Sequence, residues 1–224
     1  KIFLDTADVD EIREAKRLGM LDGVTTNPSH VSKTGRDPQE LYPEICRLTE
    51  GPVSLETVGS EAEQMVEEGR ALAAVAENVV VKVPVTKEGL IAVRRLSAEG
   101  IRTNVTVTFS PMQAMLAAKA GANYISPFVG RLDRVGHDGM ELVGQIRAIY
   151  DNYGFETQII NAAVRHPQHV IEGALAGAEI STMAFGVLEQ LYEHPLTESG
   201  IEQFLNDWEK VPTQAGALAG APAK

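Results

Sequence analysis

Short apolar runs alternate with longer amphipathic segments along almost the whole chain. The apolar runs are rich in branched side chains, which favour strands, and they predict strands at residues 2–4, 23–25, 53–57, 79–83, 103–106, 124–126, 158–160 and 179–182. The segments between them repeat their apolar residues with helical spacing. They predict helices that begin near residue 8 and after residue 110, and helices over residues 41–48, 62–76, 87–98, 139–150, 167–176, 185–192 and 200–208.

Eight strands that alternate with eight helices indicate an α/β fold, a (β/α)₈ TIM barrel with an extra C-terminal helix. The alternative is an open doubly wound sheet, which usually has a glycine-rich phosphate turn after its first strand. Here that strand ends in Asp5-Thr6, without glycine. We therefore expect one barrel domain over residues 1–211. The Ala-, Gly- and Pro-rich residues 212–224 are expected to form a disordered tail.

Lys82 is the one charged residue inside the strand-forming run 78–85. A strand this apolar is typical of a parallel sheet that is buried on both faces. Burial disfavours the charged form of an amine, and a neutral amine can attack a carbonyl to form a Schiff base. The alternative is that Lys82 ends an edge strand with its ammonium group in water.

Polar residues stand at the carboxyl end of nearly every predicted strand, where barrel enzymes build their active sites. They are Asp5, Thr25-Thr26-Asn27, Glu56, Lys82, Asn104, Thr106, Ser126 and, after the seventh strand, Arg165. Taken singly, Asp5 and Asn27 could cap helices, and Glu56 could form a plain salt bridge. Such explanations leave the shared location unexplained, because buried polar groups are costly unless something pairs with them.

The set supports carbonyl chemistry through an imine. Lys82 would attack a ketone, and the protonated imine would draw electrons from the adjacent C–C bond. Asp5 and Glu56 are the candidate bases for a substrate hydroxyl proton. Groups able to hold the hydroxyls and the phosphate of a sugar phosphate are Asn27, Asn104, Ser126, Arg131 and Arg165.

Composition and charge narrow the choice of partners. The net charge of −11 argues against a general nucleic-acid binder, although a pair of arginines can still hold a small anion. The single cysteine, Cys46, excludes an internal disulfide and fits a reducing, cytoplasmic compartment; the helix 41–48 predicts it in the core. His166 and His169 lack a third ligand candidate, so we expect a solvated helix start there. We expect no metal, no cofactor and no membrane segment.

Several motifs resemble those of the transaldolase family, especially its small single-domain members and the closely related fructose-6-phosphate aldolases. The resemblance extends from residue 2 to about 210. Its motifs are FLDTA (3–7), GVTTNPS (23–29), VVKVP (80–84), EGIRTNVT (99–106), AAKAG (117–121), YISPFVGR (124–131) and RHP (165–167). The resemblance implies that Lys82 forms the Schiff base and that Asp5 is the acid–base group. It also implies that Glu56 and Thr106 hold the water that takes part in the reaction. Asn27, Asn104 and Ser126 would bind the donor, and Arg131 and Arg165 would bind the phosphate.

Two positions distinguish the related activities. Transaldolases resemble this chain in having Glu at position 56 and Phe at position 128, whereas the aldolases have Gln and Tyr there. The chain also departs from the family in three places. Ala163 stands where a phosphate-binding Ser is typical, Asn161 replaces a small residue, and Ala184 replaces a common Pro. We expect Asn161 or a water molecule to replace part of the missing Ser donor.

The resemblance implies a cytoplasmic transaldolase that transfers a dihydroxyacetone unit between sugar phosphates in the non-oxidative pentose phosphate pathway. One alternative is an aldolase that releases free dihydroxyacetone. Another is a non-catalytic barrel that binds sugar phosphates, against which Lys82, Asp5 and Glu56 argue. Small members of the family form pentamers or decamers, so a homo-oligomer is expected, with the helix at about 200–210 packed on a neighbour.

Overall fold

The computed structural model describes residues 1–211, which form two compact units, Lys1–Leu188 and a second that begins at Glu189. The strands are β1 (Ile2–Asp5), β2 (Gly23–Thr25), β3 (Val53–Glu56), β4 (Val79–Pro84), β5 (Thr103–Thr108), β6 (Tyr124–Pro127), β7 (Gln158–Asn161) and β8 (Ile180–Met183). The helices are α1 (Val9–Arg17), α2 (Pro28–Thr34), α3 (Pro38–Leu48), α4 (Ala62–Ala73), α5 (Lys87–Ala98), α6 (Pro111–Ala120), α7 (Val129–Asp133), α8 (Gly139–Tyr153), α9 (Pro167–Leu175), α10 (Phe185–Gln190) and α11 (Pro195–Trp208). The expected tail at 212–224 lies outside the described residues.

All eight strands are parallel and close into a barrel in chain order, with β1 paired to β8. This confirms the predicted (β/α)₈ TIM barrel with its eight strands. The predicted single domain over residues 1–211 stays a prediction. Within the described residues, no helix combines the length and apolarity that crossing a membrane requires.

The core lies between the barrel and its helices. Successive side chains of a strand point to opposite faces, and the outward set on the central strands is apolar. Val81, Val83, Val105, Ile125 and Ile159 belong to one buried cluster with side chains of α4, α5, α6 and α8. Because Lys82 lies between two of these outward residues, it points into the barrel. Cys46 is buried on α3, as predicted.

Two short helices, α2 and α7, were not among the predicted helices. Helix α2 has seven residues with only Val31 buried, and α7 has five, so neither repeats long enough to show a helical period. Helix α2 begins because the Asn27 side chain accepts a hydrogen bond from the His30 backbone N–H at 3.0 Å, with Pro28 in the first turn. Both helices follow strand ends, and both carry side chains that line the candidate site.

The second unit is dominated by α11, which starts at Pro195, five residues before its predicted start. The imidazole of His194 caps it by accepting a hydrogen bond from the Leu196 backbone N–H at 3.1 Å. No residue of α11 is buried, and its large apolar side chains Leu196, Ile201, Phe204, Leu205 and Trp208 are exposed.

Candidate active site

A cavity of about 410 Å³ opens at the carboxyl ends of the barrel strands. It brings together eight of the ten predicted site residues, namely Asp5, Asn27, Glu56, Lys82, Ser126, Phe128, Arg131 and Arg165. The other two, Asn104 and Thr106, are fully buried in β5 and do not form part of the cavity wall. The structure therefore gathers the predicted residues at one end of the barrel, while the role of each stays a prediction.

Lys82 is only 4% exposed, which excludes the alternative of an edge-strand lysine with its head in water. Its Nζ donates a hydrogen bond to the Thr26 carbonyl oxygen at 2.9 Å and lies 2.9 Å from Glu56 Oε2. Register pairing of β3 with β4 places Glu56 directly beside Lys82. The carboxylate compensates the buried ammonium, and it is also placed to accept a proton from it. Proton transfer to Glu56 would leave a neutral amine facing the cavity.

Asp5 is held by a chain of hydroxyl groups that crosses the closure of the barrel. Thr25 Oγ1 donates to Asp5 Oδ1 at 2.8 Å and lies 2.6 Å from Thr182 Oγ1. A hydroxyl has one proton to donate, so Thr182 donates to Thr25, and Thr25 donates to Asp5. On the other side, His30 Nε2 lies 3.4 Å from Asp5 Oδ2.

The pKa of the Asp5 carboxyl reflects opposing influences. Burial is the largest and raises it, but the His30 imidazole, the Lys82 ammonium and the Thr25 hydroxyl together lower it below its ordinary value. Asp5 is therefore ionised at neutral pH. An ionised carboxylate beside a buried lysine is suited to accept a proton from a bound hydroxyl group.

Ser126 is oriented by residues beneath the cavity floor. Its hydroxyl donates to Asn104 Oδ1 at 2.8 Å, and Asn104 Nδ2 donates to Ser54 Oγ at 3.1 Å. Because the Ser126 proton is engaged, its oxygen faces the cavity as an acceptor. Asn104 thus acts on the cavity through Ser126. Thr106 differs, because its buried Oγ1 has no hydrogen-bond partner within the described part of the chain.

The wall carries two residues with unusual backbone conformations. Val107 has φ 59° and Ala163 has φ 57°, values in the left-handed region that is a marked outlier for a branched residue such as valine. Val107 lies where the pairing of β5 with β6 shifts register, between Val105 and Thr108. Both residues line the cavity. Such conformations cost about 1–3 kcal/mol each and cluster at functional sites.

Besides Lys82, three positively charged side chains line the cavity. Arg131 and Arg165 are exposed at its wall, and the guanidinium carbon of Arg131 lies 4.9 Å from the centre of the Phe128 ring, a cation–π contact. Lys33 of α2 also lines the cavity. Within residues 1–211, none of these three side chains forms an ion pair. In a chain of net charge −11, this group of free cations fits a small anion.

Three wall residues of α2, Ser29, His30 and Lys33, were missed at the level of sequence. They follow the capping Asn27 at spacings of two, three and six residues. The available signal was the N-cap residue Asn27 followed by Pro28, which predicts the start of a helix directly after the end of β2.

Asn161 is excluded as the replacement for the missing Ser donor, which leaves a water molecule as the remaining alternative, and the expected solvated helix start is wrong. Asn161 cannot supply a donor to the cavity, because its Nδ2 donates to the His169 carbonyl oxygen at 2.8 Å and to Ser181 Oγ at 3.3 Å, on the helix-facing side of β7. His169 is not solvated either. It is 6% exposed, and both ring nitrogens have hydrogen-bonding neighbours. These contacts offset the cost of removing the ring from water. No group of three or more potential metal ligands occurs within residues 1–211.

The chain is similar to known proteins over most of its length. A family model described as "Transaldolase/Fructose-6-phosphate aldolase" matches residues 2–215. A "Probable transaldolase" of Aquifex aeolicus (strain VF5) is 62% identical over 212 residues, which cover 95% of this chain and 98% of the relative. A "Probable transaldolase" of Methanococcus maripaludis (strain C7 / ATCC BAA-1331) is 59% identical over 209 residues, covering 93% and 97%. The crystal structure of inosine 5′ monophosphate dehydrogenase from Legionella pneumophila is similar in fold alone, with a TM-score of 0.59 at 11% identity over 83% of this chain and 58% of that one.

Proposed function

Because the chain belongs to the transaldolase/fructose-6-phosphate aldolase family, we propose that it is a transaldolase acting through a Schiff base on Lys82. The observation that carries the proposal is the 2.9 Å approach of the buried Lys82 Nζ to Glu56, inside a cavity shared with Asp5. A buried amine with an adjacent proton acceptor is the arrangement that an amine nucleophile needs.

The proposed reaction begins when Lys82 Nζ attacks the ketone of a donor sugar phosphate. Loss of water gives a protonated imine. Asp5 takes the proton of the hydroxyl next to the scissile C–C bond, the bond breaks, and its electron pair moves into the imine to give an enamine while an aldehyde leaves. The enamine then attacks the acceptor aldehyde, Asp5 returns the proton to the new alkoxide, and water hydrolyses the imine. Glu56 and Thr106 hold the water that takes part in forming and hydrolysing the imine.

The substrates are proposed to be sugar phosphates, such as fructose 6-phosphate as donor and erythrose 4-phosphate as acceptor, in the non-oxidative pentose phosphate pathway. Asn27 and Ser126 bind the donor hydroxyls, with Asn104 acting through Ser126. Arg131 and Arg165 bind the phosphate with forked donors. The electron sink is the imine itself, so the proposal needs no cofactor.

Borohydride trapping tests the Schiff base. Reduction in the presence of fructose 6-phosphate should add a reduced three- or six-carbon adduct to the peptide that contains Lys82. Lys33→Met is the matched control, because it removes another lysine from the same cavity and should leave the adduct in place. Labelling of a different lysine, or no labelling during turnover, would contradict the assignment.

The second candidate function is an aldolase that releases free dihydroxyacetone, and Phe128 is the residue that decides between the two. Its ring lines the cavity beneath Arg131 and adds no hydroxyl there, so the enamine has no extra proton donor and waits for an acceptor. Phe128→Tyr should raise dihydroxyacetone release relative to transfer. Phe109→Tyr is the control, because it adds the same hydroxyl to a neighbouring ring outside the cavity wall. An unchanged product ratio in Phe128→Tyr would remove position 128 from the choice of reaction.

We also propose that the protein is a cytoplasmic homo-oligomer, a pentamer or a decamer. The exposed apolar side chains of α11 support an oligomer. Light scattering coupled to size-exclusion chromatography should give five or ten times the 24.2 kDa chain mass, and a monomer would contradict the proposal. A single-turnover assay with fructose 6-phosphate separates an active enzyme from a non-catalytic barrel.

A further inference from the structure

His169 lies between the two chain segments that carry the cavity arginines. Helix α7 carries Arg131 and ends at Asp133, and the turn after β7 carries Arg165. The Arg165 backbone N–H donates to His169 Nδ1 at 3.2 Å, while His169 Nε2 lies 2.9 Å from Asp133 Oδ2. The other oxygen of Asp133 accepts a hydrogen bond from the Gly139 backbone N–H at 2.9 Å. The imidazole is therefore a bridge from one arginine-bearing segment to the other.

The bridge requires a neutral ring with one defined tautomer. Nδ1 accepts a hydrogen bond from a backbone N–H, so the ring proton is on Nε2, which donates a hydrogen bond to Asp133. Burial and the neighbouring His166 lower the pKa of His169, against the opposing effect of Asp133 and Glu172. The lowered pKa favours the neutral ring at neutral pH.

The two segments also meet through their backbones. The Val129 N–H donates to the Ala162 carbonyl oxygen at 3.1 Å. At Gly130 the approach is so close that an added Cβ would lie 2.3 Å from the Ala163 carbonyl oxygen. The Ala162 N–H also donates to the Pro127 carbonyl oxygen at 3.1 Å, so these backbone contacts fix the start of α7. The His169 bridge, at the far end of α7, supplies the second point that fixes its orientation.

We propose that His169 is a positioning residue that sets the spacing of Arg131 and Arg165, so that both guanidinium groups engage one phosphate. The inference rests on the proposed function, because it takes these two arginines as the phosphate site. Forked donors bind a phosphate well only in one relative geometry. A buried histidine that merely stabilises the fold would affect all substrates alike, whereas a positioning residue affects only those with a phosphate.

The test compares substrates with and without the phosphate. His169→Leu removes both contacts, and Asp133→Ala cuts the bridge from the other side. Each variant should raise KM for fructose 6-phosphate and the Kd for inorganic phosphate about tenfold, which corresponds to about 1.4 kcal/mol. With unphosphorylated fructose, kcat and kcat/KM should both stay within twofold of the wild-type values. The double variant should be no worse than either single one, since both break the same bridge.

Two further variants serve as controls. His169→Asn keeps an acceptor near the position of Nδ1 and should recover part of the phosphate affinity. Gln168→Ala changes an exposed neighbour whose side chain donates a hydrogen bond to Glu172 at 3.0 Å, and it should behave as the wild type. If His169→Leu does not fold, Asp133→Ala still tests the bridge.

The outcomes separate this inference from the proposed function. A parallel loss for both sugars, or unchanged Kd for inorganic phosphate in His169→Leu and Asp133→Ala, would overturn the positioning role. If the wild-type protein turns over no sugar but its phosphate Kd responds to these variants as described, the proposed reaction is wrong and the positioning role stands.

Discussion

Thr106→Val should make the protein more stable and less active. Thr106 is fully buried, and its hydroxyl has no hydrogen-bond partner within residues 1–211. A buried polar group without a partner costs about 1–3 kcal/mol, and valine fills nearly the same space without that group. We expect the free energy of unfolding to rise by about 1 kcal/mol, which for a chain of this size raises the melting temperature by roughly 2–4 °C.

The same hydroxyl is proposed to hold, during turnover, the water that moves protons at the imine. Proton transfer by a positioned group contributes about 10²–10⁴-fold to a rate, so we expect kcat of Thr106→Val to fall about 100-fold. The slow step should be imine formation or hydrolysis, which the rate of borohydride trapping in a single turnover reports directly. KM should change little, because Thr106 does not line the cavity in which the sugar is proposed to bind.

Thr103→Val is the matched control. Thr103 lies on the same strand, is fully buried, and also has a hydroxyl without a partner in the described part of the chain, but it stands at the opposite end of β5 from the cavity. It should gain the same stability without losing activity. Wild-type kcat in Thr106→Val would refute the catalytic role. Destabilisation of both variants would refute the reasoning about their unpaired hydroxyls.

Three further changes probe the cavity wall. His30→Leu removes an imidazole that lowers the pKa of Asp5, so the acid limb of the kcat/KM profile should move to higher pH, and less so in His30→Gln; an unmoved limb means that another group sets it. Ala163→Ser adds a donor at the wall and should lower KM about tenfold for fructose 6-phosphate but not for fructose; an equal change for both would place position 163 away from the phosphate. Gly130→Ala puts a Cβ 2.3 Å from the Ala163 carbonyl oxygen and should raise the KM for fructose 6-phosphate at least tenfold. Gly144→Ala, with open space around it, should match the wild type in the same assay.

The positions of the strands could be predicted because each barrel strand has an apolar outward face and a distinct end. In β4 the alternation of Val81, Lys82 and Val83 by itself indicates that the lysine points away from the helices. The same reasoning failed for Asn161, because the strand there is too short to show which face its last residue takes. Its side chain packs toward Gly173, where an added Cβ would lie 2.3 Å from Asn161 Nδ2, and this fit is visible only in three dimensions.

Helix α2 shows the limit of periodicity. Seven residues make two turns, and a helix that covers the mouth of a barrel has no continuous apolar face to bury. Periodicity therefore does not point to His30, although it approaches Asp5 to 3.4 Å across 25 residues of chain. His169 shows the opposite limit. Its sequence neighbours predict a solvent-exposed side chain. Its burial depends instead on a contact with Asp133, 36 positions earlier, whose carboxylate accepts a hydrogen bond from the ring.

Closure of the barrel explains why the environment of Asp5 could not be derived from local sequence. Thr25 and Thr182 lie 157 residues apart, yet their hydroxyls are 2.6 Å apart because β1 pairs with both β2 and β8. The direction of that hydrogen bond follows from the single proton that each hydroxyl can donate: Thr182 gives its proton to Thr25, which is then obliged to give its own to Asp5. An open sheet with the same strands would leave Thr25 free to turn toward another acceptor, and Asp5 would lose a donor that lowers its pKa. The last strand of the barrel thus acts on Asp5, the proposed acid–base group at the end of the first strand, so the pKa of this carboxyl depends on barrel closure.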